Sequence, residues 1–308
     1  MHTKLQKPLL ALAGVAIIAA CSSVKTDPDI MKAIEATVQN CKIEERYGWA
    51  KDCKNNEKET LKKLIEDKGQ AASLGSLATA LGSEDLKTRA VAADRLYDNY
   101  RSISELEKNP QAIDGAAVDL LIANLGKFSE YASFYAARST TWLAMMTGKE
   151  SALYAMLDKH PNEAAKTEAY RNLMRYGRMT AFPKIKELAG SSDDKIALAA
   201  VTAPRDMYKY NEQERSEICD WAAPMMSNSN ENIAARAAQI LALRCKGEYI
   251  DKVLDEAEKR AGADGLKQPF ASVLTNFTFS CEGFLGSKPT GSAEQCKRKE
   301  ELKAKISK

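Results

Sequence analysis

The chain is 308 residues long, with 44% hydrophobic, 28% charged and 7% aromatic residues. The apolar fraction is ample for a packed core and excludes a disordered chain, and the length fits one large or two ordinary domains. A formal charge of +3 gives no warrant for nucleic-acid binding, and two histidines, His2 and His160, leave little room for imidazole catalysis or metal ligation.

The N-terminus carries Lys4 and Lys7, then an apolar run from Leu9 to Ala20. A spanning helix needs about 20 apolar residues, so this run is too short to cross a bilayer and has the flanks of a signal peptide. It is also the single uninterrupted apolar stretch, which excludes a polytopic membrane protein.

The run closes on Ile18-Ala19-Ala20-Cys21, an aliphatic residue, two small residues and a cysteine. This resembles the lipobox of bacterial lipoproteins. The resemblance implies that residues 1–20 are a signal peptide removed by signal peptidase II. It implies that Cys21 then carries a thioether-linked diacylglycerol and an acylated amine, palmitate included. Residues 21–27, with Ser22, Ser23 and Asp27, would be a lipidated tether. Each buried methylene contributes about 0.8 kcal/mol, so two or three acyl chains hold a protein on a membrane without a spanning helix. Ser22 stands where inner-membrane retention would favour Asp, which implies the outer membrane, facing the periplasm.

Seven cysteines less Cys21 leave Cys41, Cys53, Cys219, Cys245, Cys281 and Cys296. An even remainder in an exported chain reads as disulfides. Six cysteines allow 15 pairings; proximity favours Cys41–Cys53, Cys219–Cys245 and Cys281–Cys296. Free buried cysteines are the alternative. No pair has the two-residue spacing of zinc ligands, so no metal and no cofactor is expected.

Beyond the tether, strand-like alternation is missing and the pattern is all-α. Asp27-Pro28 predicts a helix start with proline at the first helical position. Leu86, Ala90, Ala93 and Tyr97 form one apolar stripe; Ile233, Ala237, Ile240 and Leu241 form another. Ile250, Val253, Leu254, Ala257 and Ala261 form a third. Two segments read alike: Asn162 to Leu188 and Glu231 to Leu254 each run from a polar start through a basic residue (Lys166, Arg236) and a stripe ending at Leu173 or Leu243. Each then has a glycine, Gly177 or Gly247, and a second helix. Ser83 to Leu96 repeats the first half around Arg89, and weaker copies lie near Arg138 and Lys195.

These copies resemble a degenerate HEAT-type array, of the kind also found in phycobilisome lyases. The basic anchors are separated by 49, 28, 29 and 41 residues. The resemblance implies an α-solenoid of HEAT- or armadillo-like helix pairs over residues 81–261. An N-terminal helical cap would span 28–80, and a C-terminal helical cap with a basic tail 262–308, both ends stapled by disulfides. An irregular bundle of alanine-rich amphipathic helices is the alternative.

Catalytic motifs are incomplete. Ser192 and Lys195 match S-x-x-K of serine-type cell-wall enzymes, but the companion S-D-N and K-T-G motifs are absent and Ser192 suits a helix cap. His160 precedes Pro161 at a helix junction, the place of a turn residue. Glu44-Glu45 and Asp193-Asp194 read as solvated acidic pairs, and Trp142, Trp221, Met145, Met146, Met225 and Met226 as core filler. Trp49, in the polar loop with Tyr47 and Gly48, reads as an exposed interaction residue. The tail from Lys297 to Lys308 has six basic and two acidic residues and reads as a solvated helix end.

The function expected from these readings is a non-enzymatic, membrane-anchored binding protein for a protein or peptide of the cell envelope. The segments Lys149–Lys159, Lys184–Leu188 and Asp251–Lys259 would line a concave surface. The competing expectation is an enzyme, either a serine hydrolase using Ser192 and Lys195 or a lyase by fold analogy. The first test concerns the anchor: Cys21→Ser should abolish acylation and leave an unprocessed or membrane-released chain. Globomycin, which blocks signal peptidase II, should cause the wild-type precursor to accumulate on immunoblots.

Overall fold

A computed structural model describes residues 24–44, 49–100, 108–125, 130–245, 247–262, 265–276, 279–281 and 290–306. Residues 1–23, Cys21 among them, Tyr47, Gly48 and most of the stretch from Gly283 to Gly291 lie outside the described residues. Fifteen α-helices and one small hairpin occur among the described residues, and the fold is all-α.

Helix α1 (Pro28–Asn40) starts where the sequence predicts. Asp27 Oδ1 accepts hydrogen bonds from the Asp29 and Ile30 amides at 2.9 and 3.2 Å, with Pro28 at the first position. Ile30, Ile34 and Thr37 form its buried stripe. Cys41 caps its end, and strands β1 (Lys42–Glu44) and β2 (Trp49–Lys51) follow as an antiparallel pair, Lys42 opposite Lys51. The Cys41–Cys53 disulfide closes this hairpin. The all-helical expectation missed it, because three residues are too few to display alternation.

Helices α2 (Glu57–Lys68), α3 (Gln70–Leu81) and α4 (Leu86–Tyr100) complete the N-terminal part. Then come α5 (Gly115–Asn124), α6 (Glu130–Met146), α7 (Glu150–Leu157), α8 (Glu163–Arg175) and α9 (Phe182–Leu188). They are followed by α10 (Asp194–Thr202), α11 (Glu212–Ala222), α12 (Glu231–Arg244), α13 (Glu248–Arg260), α14 (Ala271–Asn276) and α15 (Ala293–Lys303).

The packing order is simple. Helix α4 packs on α6, α6 on α8, α8 on α10 and α10 on α12, so the even-numbered helices form one row. The intervening α5, α7, α9, α11 and α13 pack against members of that row as a second rank, and α15 packs on α13. The two segments that read alike are helix–turn–helix pairs, α8 with α9 and α12 with α13. Gly177 and Gly247, at φ +80° and +60°, supply the left-handed backbone that lets the chain reverse. The basic anchors Arg89, Arg138, Lys166, Lys195 and Arg236 fall on α4, α6, α8, α10 and α12, one on each helix of the first row.

Two details of the sequence reading need correction. The cap of α10 is Asp193, whose Oδ1 accepts from the Lys195 amide at 2.8 Å; Ser192 lies one residue earlier and is exposed. Leu243 is 43% exposed, because it sits seven residues beyond Arg236 and two helical turns bring it back to the same outward face.

The other two disulfides also join neighbours. Cys219–Cys245 ties α11 to the end of α12, and Cys281–Cys296 ties the segment after α14 to α15. Closing a loop of this size stabilises by about 3 kcal/mol in the chain-entropy account.

Ile240 is fully buried in α12, whereas the Lys259 side chain on α13 is 73% exposed. Ile240→Asp is expected to cost several kcal/mol, and Lys259→Asp to stay within about half a kcal/mol. Packing of each helix chiefly on its row neighbours means that the Ile240 lesion should first raise hydrogen exchange in α10 to α14, while α4 stays protected. Uniform loss of protection would indicate one cooperative bundle.

Candidate functional site

The first row of helices is rich in buried alanine, and several of its cations gather along one seam. On α6, Arg138 Nη1 donates to Tyr97 Oη at 3.3 Å, and its guanidinium lies 5.4 Å from the Tyr97 ring on α4. On α8, Arg171 donates through Nε and Nη2 to Asp206 Oδ2 at 3.2 and 2.6 Å, and its Nη1 lies 3.6 Å from Glu168 Oε2. Asp206 belongs to the short helix that follows α10, where Arg205 donates twice to its other oxygen at 3.1 Å. Arg244, ending α12, donates through Nη2 to the Arg205 carbonyl at 2.5 Å and stacks 5.7 Å from the Tyr210 ring. Arg215 stacks on that ring at 5.2 Å.

A tyrosine stands out from this seam. Tyr208 is 62% exposed; its amide donates to the Arg175 carbonyl at 3.0 Å, and Arg175 Nε donates to its hydroxyl at 2.8 Å. The Tyr176 ring packs edge-on against it at 5.9 Å. Tyr208 and Leu243, next to Arg244, are the large hydrophobic side chains that stand exposed among the described residues. Arginines sit here because α8 and α12 present their C-terminal turns, whose free carbonyls and negative dipole end favour cations.

Glu168 lies beneath the seam and is almost fully buried. Burial pushes its carboxyl up to about 7, against the pull of Arg171, Arg138 and the Asn172 amide, which donates to Oε1 at 3.2 Å. Burial also acts to raise Asp206, but the hydrogen bond and charge of Arg171, reinforced by Arg205, hold it below the usual carboxylate range.

The seam was not singled out from the sequence. Its signal is the spacing of Arg138, Arg171 and Arg205, at 33 and 34 residues, more even than that of the anchors first aligned. Of those anchors, Arg138 belongs to the seam, whereas Arg89 donates to the Ser83 and Glu84 carbonyls and Arg236 to Gln239.

The second rank is cross-braced too. Arg178 on the α8–α9 turn pairs with Glu150 of α7, Lys184 of α9 with Asp158, Lys186 of α9 with Glu217 of α11, and Tyr249 of α13 with Asp220 of α11. The segments Lys149–Lys159, Lys184–Leu188 and Asp251–Lys259 therefore carry charges already spent on neighbouring elements.

The remaining candidates have structural surroundings. His160 is buried; its Nε2 donates to the Leu125 carbonyl at 3.2 Å and its Nδ1 accepts from the Asn162 amide at 3.0 Å. Ser192 and Lys195 are both exposed at the start of α10. Glu44 pairs with Lys51 across the hairpin, and Glu45 lies outside the described residues. Trp142 is buried, and Trp221 packs edge-on against Phe182 at 5.2 Å. Met145 and Met226 are buried, and Met146 and Met225 pack on the core. Trp49 has a described backbone in β2, but its side chain lies outside the described residues.

Cys41, Cys53 and Glu57 bring possible metal-binding atoms within 4.8 Å of one another. Both sulfurs are joined in the disulfide, and Glu57 Oε2 accepts from the Asn55 amide at 2.9 Å. The C-terminal tail is less solvated than expected. Arg298 donates to Asp255 and Glu258 of α13, which raise its pKa further, and Lys299 is buried beside the Phe279 ring.

The titration of Glu168 is testable. A carboxyl raised on folding binds its proton more tightly in the native state, so its contribution to stability falls as pH rises from about 4.5 towards 7. Glu168→Gln should leave stability near pH 4 little changed and raise it near pH 8 by up to about 3 kcal/mol. Asp94, also raised by burial, leaves a residual slope of the same sign. Urea unfolding at both pH values checks this; an equal loss at each would reject it. Comparison of the chain with the models of known protein families finds no match, and none is found among curated proteins.

Proposed function

We propose that the chain is a lipid-anchored envelope protein, held on the periplasmic face of the outer membrane through Cys21, whose helix row binds a protein or extended peptide without catalysing a reaction. The lipobox-like Ile18-Ala19-Ala20-Cys21 supports the anchor, and the even number of remaining cysteines, all in disulfides, fits an oxidising compartment.

The observation that carries the binding reading is the arginine–tyrosine seam running from α4 to α12. Helices α4, α6, α8 and α12 and the short helix after α10 contribute to one line of contact, which suits an extended partner better than a small molecule. Tyrosine and arginine are the side chains that most often dominate protein interfaces, because each offers a large rigid surface with a polar end. Row-on-row packing and two helix–glycine–helix pairs support the HEAT-type reading of the same region.

Replacing Tyr208 or Leu243 by a photo-reactive benzoyl-phenylalanine in cells tests this reading. Discrete cross-linked species containing the same partner protein are expected from both positions and not from Lys259. Tyr208→Ala should lower the yield from Leu243 about tenfold, the loss of one strong contact of 1.4 kcal/mol. Absence of adducts at Tyr208, or the same adduct at Lys259, would remove the seam as the binding surface.

A further inference from the structure

The first described residues are locked down. Val24 packs partly against the core, and the Asp27 amide donates to Ser76 Oγ of α3 at 2.7 Å. Lys68, at the end of α2, donates to Asp27 Oδ2 at 2.6 Å and to Asp29 Oδ2 at 2.8 Å. The Lys68 hydrogen bond is the main reason the Asp27 carboxyl is held below its usual range.

Gly75 makes this docking possible. A Cβ there would overlap the Lys25 carbonyl oxygen and come 3.0 Å from Val24 Cγ1, so a residue with any side chain would lift the segment off α3. Beside it lies an open recess of about 590 Å³, lined by residues 25–28, by Ala71 and Ala72 of α3, and by Ala116 with Asp114, whose Oδ1 accepts from the Ala116 amide at 2.9 Å.

Cys21 is three residues from Val24, and three residues of chain span at most about 11 Å. Resting on the lipid-anchor reading above, we infer that the face formed by Lys25–Pro28, Ala71–Ala72 and the start of α5 is held against the phospholipid headgroups. The protein is then seated on the bilayer by its N-terminal end, and is not suspended from it on a slack linker. The occupant of the recess is the interfacial layer of the membrane, and Lys25, exposed at its rim, meets the lipid phosphates. The row from α4 to α12 starts at this seat, since α4 packs directly on α3 and α1.

The test uses the full acylated chain in vesicles of phosphatidylethanolamine with a minority of phosphatidylglycerol, one headgroup carrying a photo-activatable diazirine. Mass spectrometry should place adducts on residues 25–28, 71–72 and 114–116, with few on α13. A flexible Gly-Ser spacer of about 20 residues inserted between Ser23 and Val24 keeps the anchor but should lower those adducts about tenfold. Gly75→Val, which expels Val24 and Lys25, should lower them in the same direction while circular dichroism stays helical. Wild-type chain that is acylated and membrane-bound, yet labels α13 as heavily or ignores the spacer, overturns the seated geometry and leaves the anchor standing. A chain that starts at Ser22, without the apolar run and Cys21, and binds the vesicles as the acylated wild type does overturns the anchor reading and this inference with it.

Discussion

The structure depends on how closely its first row of helices can approach one another. The row helices bury many alanines: Ala90, Ala92 and Ala93 on α4, Ala136, Ala137 and Ala144 on α6, Ala165 and Ala169 on α8, Ala197 and Ala200 on α10, and Ala234, Ala235, Ala237 and Ala238 on α12. Alanine loses no side-chain entropy on burial and lets helix axes close to the short end of the usual 8–10 Å range. Larger side chains fill the space from both ranks: Leu96, Leu143, Tyr170, Leu173, Ile240 and Leu241 of the row, and Leu121 and Ile122 of α5, Leu153 and Leu157 of α7, Phe182 and Ile185 of α9, Ile218 of α11, and Ile250 and Leu254 of α13. Small residues let the row helices pack closely, and bulky ones of both ranks fill the space between them. Neither set could bury its surface alone.

Arg175 and Arg244 stand in the last turns of α8 and α12. There they suit the negative ends of the helix dipoles and find Tyr208 and Tyr210. Glu168 shows the cost of placing an acid one turn too deep. It is surrounded by cations and still loses more to desolvation than it gains from them. Polar contacts between neighbouring helices, from Arg171–Asp206 to Lys186–Glu217, thereby repeat along the row with the packing.

Much of this was legible in the sequence because it is local. The Asp27-Pro28 start, the glycine reversals at Gly177 and Gly247 and the apolar stripes depend on residues within a few positions, where helical spacing is a reliable guide. The cysteine pairs were legible through proximity. What escaped was set by neighbours distant in sequence or by single-residue register. Ser192 and Asp193 are both of the capping type, and geometry chose Asp193. The tail looked solvated because nothing in Lys297 to Lys308 announces that α13 offers Asp255 and Glu258 to Arg298. The seam was hidden because its members lie on different helices, and the pattern that joins them is a spacing near 33 residues, not a motif.

The pairing of the cysteines has a consequence for assembly. Each bridge joins one cysteine to the next among the described ones, with separations of 12, 26 and 15 residues. A chain emerging amino end first therefore completes every cross-link before the cysteines of the following one appear. Oxidation in order of appearance yields the native connectivity directly, with no later reshuffling. The helix contacts obey the same order, since members of the row dock on the one that precedes them. Such a chain can be built progressively, as a zip closes, and at no stage must a finished portion reopen to admit a later one.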